Sequence, residues 1–343
     1  MQEIYHNIFQ EIISYPDHHV SPRNLYIVKG KERSLMIDTS FRLERDWKII
    51  QNKIEELGIE YKNLDVFITH NHPDHTGLVP DLQKLGARAF MNPREMRTRA
   101  DLLHSYLSDE EDRIQNLRTM GVTEEGTPDV YRAFMEYTTR AYAERREKVD
   151  IDFEPIKPGE ILEYGEYQFQ VVSLKGHTVG QCGLYERVHR ILFCGDQIMT
   201  HIVPIVISQQ KDMELLKHYM ESLKQMTFKY GDCRILSCHY DPITDLEKEV
   251  DRIVFGYLDK CSIMIKILKE HGTWMTTRDI GVRAYGRSQG PPDYQHFVSC
   301  TQIWAKTFSC MEFMYGVGFV ERTEYHGTVY WKAKVLQFNG LKL

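Results

Sequence analysis

Short apolar segments alternate with amphipathic ones along the first part of the chain. Residues 25–28, 34–37 and 66–68 are rich in β-branched and aromatic side chains, which is typical of buried strands. Between them, residues 47–57 carry apolar side chains at helical spacing and end at Gly58, a residue that commonly follows the last turn of a helix. Strands that alternate with helices predict a layered α/β domain.

Residues 94 to about 152 break this rhythm. The segment is charge-dense, has few strand formers and places Val130, Phe134 and Tyr137 at helical spacing. We interpret it as two or three amphipathic helices inserted into an α/β domain that covers residues 1–248. Long insertions often carry function, so one interpretation is a lid that covers a functional site and contacts a bound molecule through Tyr or Arg side chains. The other is that these aromatic side chains only pack the insertion onto the core.

The C-terminal residues 249–343 predict a separate small domain. A long helix is expected at residues 250–271, and two further helices and a hairpin follow at residues 277–285, 299–315 and 319–332. Three helices and a hairpin resemble a winged-helix module, which can read DNA from its third helix. Here that helix offers Lys306 as its only basic residue, whereas a phosphate-reading surface needs several Lys or Arg. We therefore expect this domain to serve packing or homodimerisation in preference to nucleic-acid binding, which stays an alternative.

Composition and charge fit a folded, globular protein with one large domain and one small one. The 343 residues are 42% hydrophobic, enough for a large core and a second small one, and mean hydropathy is −0.44. The net charge of −6 divides into −10 for residues 1–250 and +4 for residues 251–343, which disfavours a general polyanion binder. With no apolar run near membrane length and no secretory signal in the first ten residues, we expect no membrane partner and a cytoplasmic location.

One cluster of residues carries the chemistry. Directly after the apolar run 64–69, the chain reads His70-Asn71-His72-Pro73-Asp74-His75. Neutral imidazole and carboxylate are ligands that zinc, iron and manganese accept, so a metal site is the first hypothesis. The alternative is a solvated polar turn, and it is disfavoured because matching residues recur downstream.

Those residues each follow an apolar run, where a tight loop can place one side chain. His177 follows residues 169–174, Asp196 follows residues 190–194, and His239 follows residues 234–238. Asp38, at the end of the run 34–37, precedes them all. With these five ordered motifs the chain resembles the metallo-β-lactamase superfamily of hydrolases over roughly residues 20–245.

The resemblance implies an αββα sandwich with two divalent metal ions at one edge between the sheets. It implies that the first metal is held by His70, His72 and His177. It implies that the second is held by Asp74, His75 and His239, with Asp196 bridging the two. Asp38 matches an aspartate that usually orients the ligands, and such outer partners fix the tautomer of metal-binding imidazoles. Zinc is the expected metal, with iron and manganese as alternatives, because His and Asp ligands accept all three.

The implied reaction is hydrolysis. Two bridged metals hold a shared water as hydroxide near neutral pH, and the second metal polarises the oxygen that takes up negative charge. Asp74 would orient the nucleophile as the catalytic residue. The layout is similar to that of glyoxalase II and of the β-lactamase-like protein 2 group. We expect a small-molecule substrate with a thioester, ester or lactone bond, because the catalytic domain is acidic and shows no basic stripe near the motifs.

Three alternatives stay open. The same fold hosts endoribonucleases and phosphodiesterases, and it hosts persulfide dioxygenases that use one iron held by two His and one Asp. Flavodiiron relatives typically carry Glu in place of His72, and no flavin-binding domain is evident. A DNA-tethered regulator is the third alternative. One departure bears on substrate: several relatives have Gly-His-Gly where this chain reads Cys238-His239-Tyr240, so we expect a narrower mouth beside the second metal.

Other histidines and the cysteines carry weaker signals. His201 and His104 could touch substrate, although lone histidines are more often ordinary surface or core residues, and the pair His18-His19 is expected to be solvated. Seven cysteines without a Cys-x-x-Cys pair indicate reduced thiols. Cys194 and Cys238 neighbour candidate ligands, but period-2 alternation points them away, so we do not expect them to bind metal.

Overall fold

The computed structural model describes residues 1–15, 21–95, 110–144, 152–208, 213–286 and 294–334. The chain forms two compact units. The first contains Met1–Leu102, Lys148–Pro204 and Tyr219–Ile253, and the second contains Leu103–Glu147, Ile205–His218 and Val254–Leu343. The charge-dense segment thus groups with the C-terminal residues. The domain limits 1–248 and 249–343 stay a prediction.

The first unit contains two sheets. The first sheet has seven strands in chain order: β1 (Gln2–Tyr5), β2 (Ile8–Ile13), β3 (Arg23–Val28), β4 (Ser34–Ile37), β5 (Leu64–Ile68), β6 (Arg88–Met91) and β7 (Glu154–Pro155). Neighbours are antiparallel from β1 to β4 and parallel from β4 to β7. The carboxyl ends of β4, β5 and β6 therefore meet at one sheet edge.

The second sheet supplies the facing layer. Its strands are β8 (Ile161–Tyr164), β9 (Tyr167–Ser173), β10 (Cys182–Glu186), β11 (Ile191–Gly195) and β12 (Arg234–Ser237), in the order β12-β11-β10-β9-β8. Only β11 and β12 run parallel among these pairs, so their carboxyl ends also lie side by side.

Alternation along the strands builds the core. In β3, Tyr26 and Val28 face a buried cluster that includes Phe169 and Phe193 of the second sheet. Leu25 and Ile27, one residue out of phase, join a separate buried cluster on the other face. Because successive strand side chains point to opposite faces, both faces of this sheet are covered.

Helices provide the outer layers and most of the second unit. They are α1 (Glu44–Glu56), α2 (Pro73–Thr76), α3 (Val79–Lys84), α4 (Glu110–Met120), α5 (Pro128–Glu144), α6 (Leu215–Tyr230), α7 (Leu246–His271), α8 (Thr277–Tyr285) and α9 (Tyr294–Gly316). Ile50 and Ile54 of α1 pack on the first sheet. Tyr230 of α6 packs on Tyr185 of the second sheet, with ring centroids 4.9 Å apart. The predicted α/β class and sandwich are confirmed. Among the described helices, none is long and apolar enough to cross a membrane.

The second unit carries the three helices and the hairpin expected near the C-terminus. Its sheet pairs β13 (Met275–Thr276) with β15 (Thr328–Ala333), and β15 with β14 (Val320–Tyr325). Trp331 is fully buried, and its indole Nε1 donates to Thr277 Oγ1 at 2.9 Å. Two helices of the predicted insertion, α4 and α5, fall in this unit. Its assignment as winged-helix-like stays a prediction.

Asp65 of β5 provides a stability prediction away from the site. It is buried and accepts hydrogen bonds from Arg33 Nε at 2.9 Å, Arg88 Nε at 2.8 Å and Tyr164 Oη at 2.8 Å. Burial opposes the charged form, but these partners outweigh it and lower the pKa of Asp65. We expect Asp65→Asn to reduce the free energy of unfolding by about 3 kcal/mol at pH 7, because it breaks a buried ion pair.

Urea unfolding followed by circular dichroism measures this loss. A lowered pKa in the folded state stabilises the fold above the unfolded-state pKa of about 3.9, so the loss should shrink as the pH falls below about 4. Asp81→Asn is the control, because the ion pair of Asp81 with Arg42 is partly exposed and worth at most about 1 kcal/mol. A loss that does not change with pH would contradict the assignment to the Asp65 charge.

Candidate metal centre

Strand ends bring the predicted site residues together. Asp38 follows β4, and the segment that begins at His70 follows β5 in the first sheet. Asp196 follows β11, and His239 follows β12 in the second sheet. His177 lies in the turn that joins β9 to β10. Because parallel strands end on the same side, these loops converge at one edge of the sandwich.

Two glycines allow the loops to approach closely. Gly195, at φ +55°, lies against Thr69, and an added Cβ would be 2.8 Å from Thr69 Oγ1. Gly176, at φ +135°, leaves no room either, because an added Cβ would be 2.4 Å from the Cα of Tyr219. Both positions combine a left-handed backbone with contact distances that only glycine tolerates.

The first donor set contains three imidazoles and one carboxylate oxygen. His72 Nδ1 lies 2.9 Å from His70 Nε2 and 3.2 Å from His177 Nε2. Asp196 Oδ2 lies 3.9 Å from His70 Nε2 and 3.8 Å from His177 Nε2. These four atoms lie within 4.8 Å of one another and belong to side chains that are buried or half-buried.

The second donor set contains Asp74, His75 and His239, and it reaches the other oxygen of Asp196. Asp74 Oδ2 lies 3.5 Å from His75 Nε2 and 3.2 Å from His239 Nε2. Asp196 Oδ1 lies 3.4 Å from His75 Nε2 and 3.5 Å from His239 Nε2. The structure thus brings all seven predicted ligands together, and Asp196 presents one oxygen to each set.

The spacing of both sets fits a divalent cation. Zinc bonds of 2.0–2.2 Å to N and O place tetrahedral ligands about 3.3–3.6 Å apart. The second set spans 3.2–3.5 Å and the first 2.9–3.9 Å. Asp196 Oδ1 is also buried without a hydrogen-bond partner among the described residues. Buried oxygens rarely lack a hydrogen bond, so this one, which faces the ring nitrogens of His75 and His239, is well placed to bind a cation.

Electrostatics support the same conclusion. Burial, together with the charges of His75 and His72, holds the pKa of His70 well below its usual value, so this ring stays neutral with a lone pair available. Burial opposes the ionised form of Asp196, but His239 and His75 outweigh it and lower its pKa.

His75 shows that the second set attracts positive charge. Burial and Arg23 oppose its protonation, yet Asp196, Asp74 and Asp38 outweigh both and raise the pKa of His75 to about 9. The negative charge of the carboxylates around this ring is thus neutralised either by a proton on His75 or by a bound cation.

Asp38 contacts two of the segments that carry the candidate ligands. It sits at φ +59°, and its Oδ1 accepts from the backbone N–H of Thr69 at 2.7 Å. Its Oδ2 lies 2.9 Å from His75 Nδ1. A carboxylate only accepts hydrogen bonds, so Nδ1 carries a proton, and the proton that His75 can give up to a metal is the one on Nε2, which faces the second set.

Two buried residues were missed by the sequence reasoning. Arg23 is fully buried against the second donor set, and Glu95 is 1% exposed. Glu95 accepts from the backbone N–H of Asn71 at 3.0 Å and of Gly180 at 2.6 Å, which ties together the two loops that carry His70 and His177. The only sequence signal for Arg23 is a charged residue directly before an apolar strand.

The weaker sequence signals have separate outcomes. His201 pairs with Asp241 at 2.7 Å, and both side chains are mostly exposed. Cys238 donates to Asp38 Oδ2 at 3.1 Å, and burial and Asp38 raise its pKa, so it stays a thiol. Burial also raises the pKa of the Cys194 thiol. His18, His19 and His104 lie outside the described residues.

The fold and the site define a class: α/β sandwich proteins with a His/Asp donor cluster at the strand ends. The family model of the Metallo-beta-lactamase superfamily matches residues 20–239, more than half of the chain. The chain therefore belongs to the metallo-β-lactamase superfamily and is an enzyme of the hydrolase type. This confirms the family predicted from the five motifs.

Two curated relatives share part of the chain. An uncharacterized protein of Aquifex aeolicus (strain VF5) is 28% identical over 194 residues, covering 56% of this chain and 75% of the relative. The acyl-coenzyme A thioesterase MBLAC2 of Gallus gallus is 22% identical over 216 residues, covering 56% of this chain and 67% of the relative.

Two solved structures share the fold. The metallo-beta-lactamase family protein TTHA1429 of Thermus thermophilus has a TM-score of 0.75 at 20% identity, covering 96% of this chain and 99% of that one. A beta-lactamase domain protein of Burkholderia ambifaria has a TM-score of 0.78 at 17% identity, covering 97% of this chain and 94% of that one. The likeness in fold extends beyond residues 20–239.

Proposed function

We propose that this protein is a metal-dependent hydrolase of small thioester, ester or lactone substrates. One observation carries the proposal: the two oxygens of Asp196 face two separate donor sets whose spacing fits divalent cations. Such paired sites, bridged by a carboxylate, suit the attack of water on an acyl carbon.

The seven predicted ligands would hold two divalent cations, with zinc favoured. His70, His72 and His177 would bind the first, Asp74, His75 and His239 the second, and Asp196 both. Divalent cations, when bound, lower the pKa of water and polarise the carbonyl oxygen of the acyl substrate. Thr69 and Glu95 would keep the loops in place through the hydrogen bonds described above.

Asp74 is proposed as the residue that orients the attacking water. Burial opposes its charged form, but His75, His239 and Arg23 hold the pKa of this carboxyl well below its usual range. An ionised carboxylate only accepts hydrogen bonds, so it would receive an O–H of the water and direct a lone pair towards substrate.

Charge and likeness both favour a small acyl substrate. Residues 1–250 carry a net charge of −10, which repels a polyanion such as RNA. The relative from Gallus gallus is named an acyl-coenzyme A thioesterase. Tyr240, which replaces the glycine of several relatives, has its ring centroid 6.3 Å from that of His239. It is half-buried there and would restrict bulky substrates.

A hydrolysis screen tests the proposal. The full chain, stripped with chelator and reloaded with Zn²⁺, Fe²⁺ or Mn²⁺, is offered an acyl-CoA thioester, an aryl ester, a γ-lactone, a phosphodiester and a labelled RNA. We expect kcat/KM to be highest for one of the first three, and we expect the stripped chain to be inactive. The matched control is the stripped chain treated with the same buffer without added metal.

The alternatives give different results in the same screen. Cleavage of RNA alone, with binding that weakens steeply as salt rises, would support the endoribonuclease or phosphodiesterase instead. One iron per chain with oxygen uptake on a persulfide would support the persulfide dioxygenase. Either outcome would contradict the proposed acyl hydrolase.

The C-terminal unit is proposed to serve packing or homodimerisation and not DNA binding. Lys306, the only Lys or Arg in α9, has its ammonium 5.1 Å from the ring centroid of Tyr257 within the same unit. Burial also lowers the pKa of Lys306, and an ammonium that packs on a ring of its own unit is poorly placed to bind a phosphate. Light scattering checks the predicted homodimer, and a gel-shift assay of the full chain with duplex DNA should show no binding. Cytoplasmic location stays a prediction.

A further inference from the structure

Arg23 is the fully buried first residue of β3 and lies beside the second donor set. Its backbone forms an isolated antiparallel bridge with His239, and the next backbone N–H, of Asn24, donates to the carbonyl of Cys238 at 2.7 Å. Its Nε donates to the carbonyl of Thr39 at 2.7 Å. Hydrogen bonds therefore fix both the backbone at Arg23 and the Nε of its side chain.

The guanidinium contacts Asp74, His75 and His239, the three residues of the second set that are not shared with the first. Nη1 lies 3.1 Å from His75 Nε2, 3.3 Å from His239 Nε2 and 3.4 Å from Asp74 Oδ2. Nη2 lies 3.9 Å from Asp38 Oδ2. These are the same ring nitrogens and the same carboxylate oxygen that would bind the second cation.

A guanidinium cannot be a metal ligand. It carries only N–H donors, has no lone pair to offer and stays charged in proteins. Each ring lone pair that accepts an Nη1–H is unavailable to a metal, and the fixed positive charge repels a second cation at short range.

We propose that Arg23 acts as a resident cation of the second donor set and makes the second divalent metal bind far more weakly than the first. This inference rests on the proposed metal-dependent function and adds the order in which its two sites bind metal. The first set fills first. The second fills only when the guanidinium gives up its contacts with His75 and His239.

Charge balance explains why such a residue is tolerated. Asp38, Asp74 and Asp196 all lower the energy of a positive charge at Arg23, which offsets the cost of burying it. The same carboxylates would otherwise be satisfied by the second metal. Arg23 and the second metal thus compete for one electrostatic role.

Metal titration of the stripped full chain tests the inference. Co²⁺ is added in steps and followed by visible absorption and by competition with a chelator. For the wild type we expect one tight equivalent and a second at least about 100-fold weaker. In Arg23→Gln the two affinities should lie within about tenfold of each other, whereas Arg23→Lys, which keeps a positive charge, should retain the difference.

The controls separate the possible failures. Arg42→Gln removes an arginine whose ion pair is with Asp81, and it should titrate like the wild type. Two equally tight equivalents in the wild type, or a second affinity unchanged in Arg23→Gln, would overturn the role of Arg23. No Co²⁺ binding by the wild type would instead overturn the proposed function.

Should Arg23→Gln fail to fold by circular dichroism, His239→Ala decides the question. This variant removes a ligand of the second set only, so it should lose the weak equivalent and keep the tight one. Loss of the tight equivalent in His239→Ala would overturn the inference.

Discussion

Asp196→Asn is expected to lower kcat/KM for the preferred substrate by at least about a thousandfold. Asp196 is the one residue with an oxygen in each donor set, and asparagine replaces one of those oxygens with an N–H₂ group that cannot bind a cation. Loss of a single preorganised electrostatic group already costs about 10²–10³ in rate, and this change affects both sets. Steady-state kinetics together with metal content measure the effect.

Asp241→Asn is the matched control for that variant. Asp241 is a mostly exposed carboxylate that pairs with His201 at 2.7 Å, so its loss should change kcat/KM by less than about threefold. If Asp196→Asn kept more than a tenth of the wild-type kcat/KM, the shared role of Asp196 would be wrong.

Asp38→Asn is expected to lower kcat/KM by about 100-fold without removing any ligand. The carboxylate of Asp38 accepts from His75 Nδ1, so the nitrogen of His75 that can become free for a metal is Nε2, which faces the second set. An asparagine amide at that position would donate to Nδ1 and favour the tautomer with hydrogen on Nε2, which cannot bind a cation. Loss of such outer partners typically costs 10–100-fold in metal affinity or activity.

Nitrogen NMR of ¹⁵N-labelled histidine distinguishes this mechanism from a general loss of stability. Above about pH 9, where His75 loses its second proton, its signals should report the Nδ1–H tautomer in the wild type and the Nε2–H tautomer in Asp38→Asn. Asp46→Asn serves as a control, because Asp46 is equally buried but bonds to Tyr15 and Ser40. An unchanged His75 tautomer in Asp38→Asn would show that Asp38 acts in another way.

The candidate site could be predicted from the sequence because its signals are local. Each ligand follows a short apolar run, and strands that run parallel place their carboxyl ends on one side. The cluster from His70 to His75 also contains four of the seven candidate ligands in six residues. That Asp196 and His239 lie at the same edge as this cluster followed only from the family resemblance, which implies an αββα sandwich with the metals at one edge.

Arg23 could not be predicted in the same way. A charged residue before an apolar strand ordinarily faces water, and its burial here depends on Asp74 and His239, which lie 51 and 216 residues away. Glu95 was missed for a similar reason, since its partners are backbone N–H groups of two loops. When the partners of a buried charge lie far away in the sequence, no periodic pattern marks the charged residue.

The grouping of the insertion with the C-terminal residues also could not be predicted from the sequence. It reflects close packing such as that of Gly121 on Thr276, where an added Cβ would be 2.4 Å from the Thr276 Cβ. Contacts of this kind join segments that are more than 150 residues apart in sequence. Helical periodicity identified α5 but could not say which unit it joins.

The central claim is that the donor sets around Asp196 bind the divalent metal that the enzyme uses. Elemental analysis of the full chain, purified without added metal and without chelator, tests it most directly. We predict about one equivalent of zinc, iron or manganese per wild-type chain, and almost none in Asp196→Asn. A wild-type chain that carries no divalent metal, takes none up on titration and still hydrolyses its substrate at the full rate would contradict the claim.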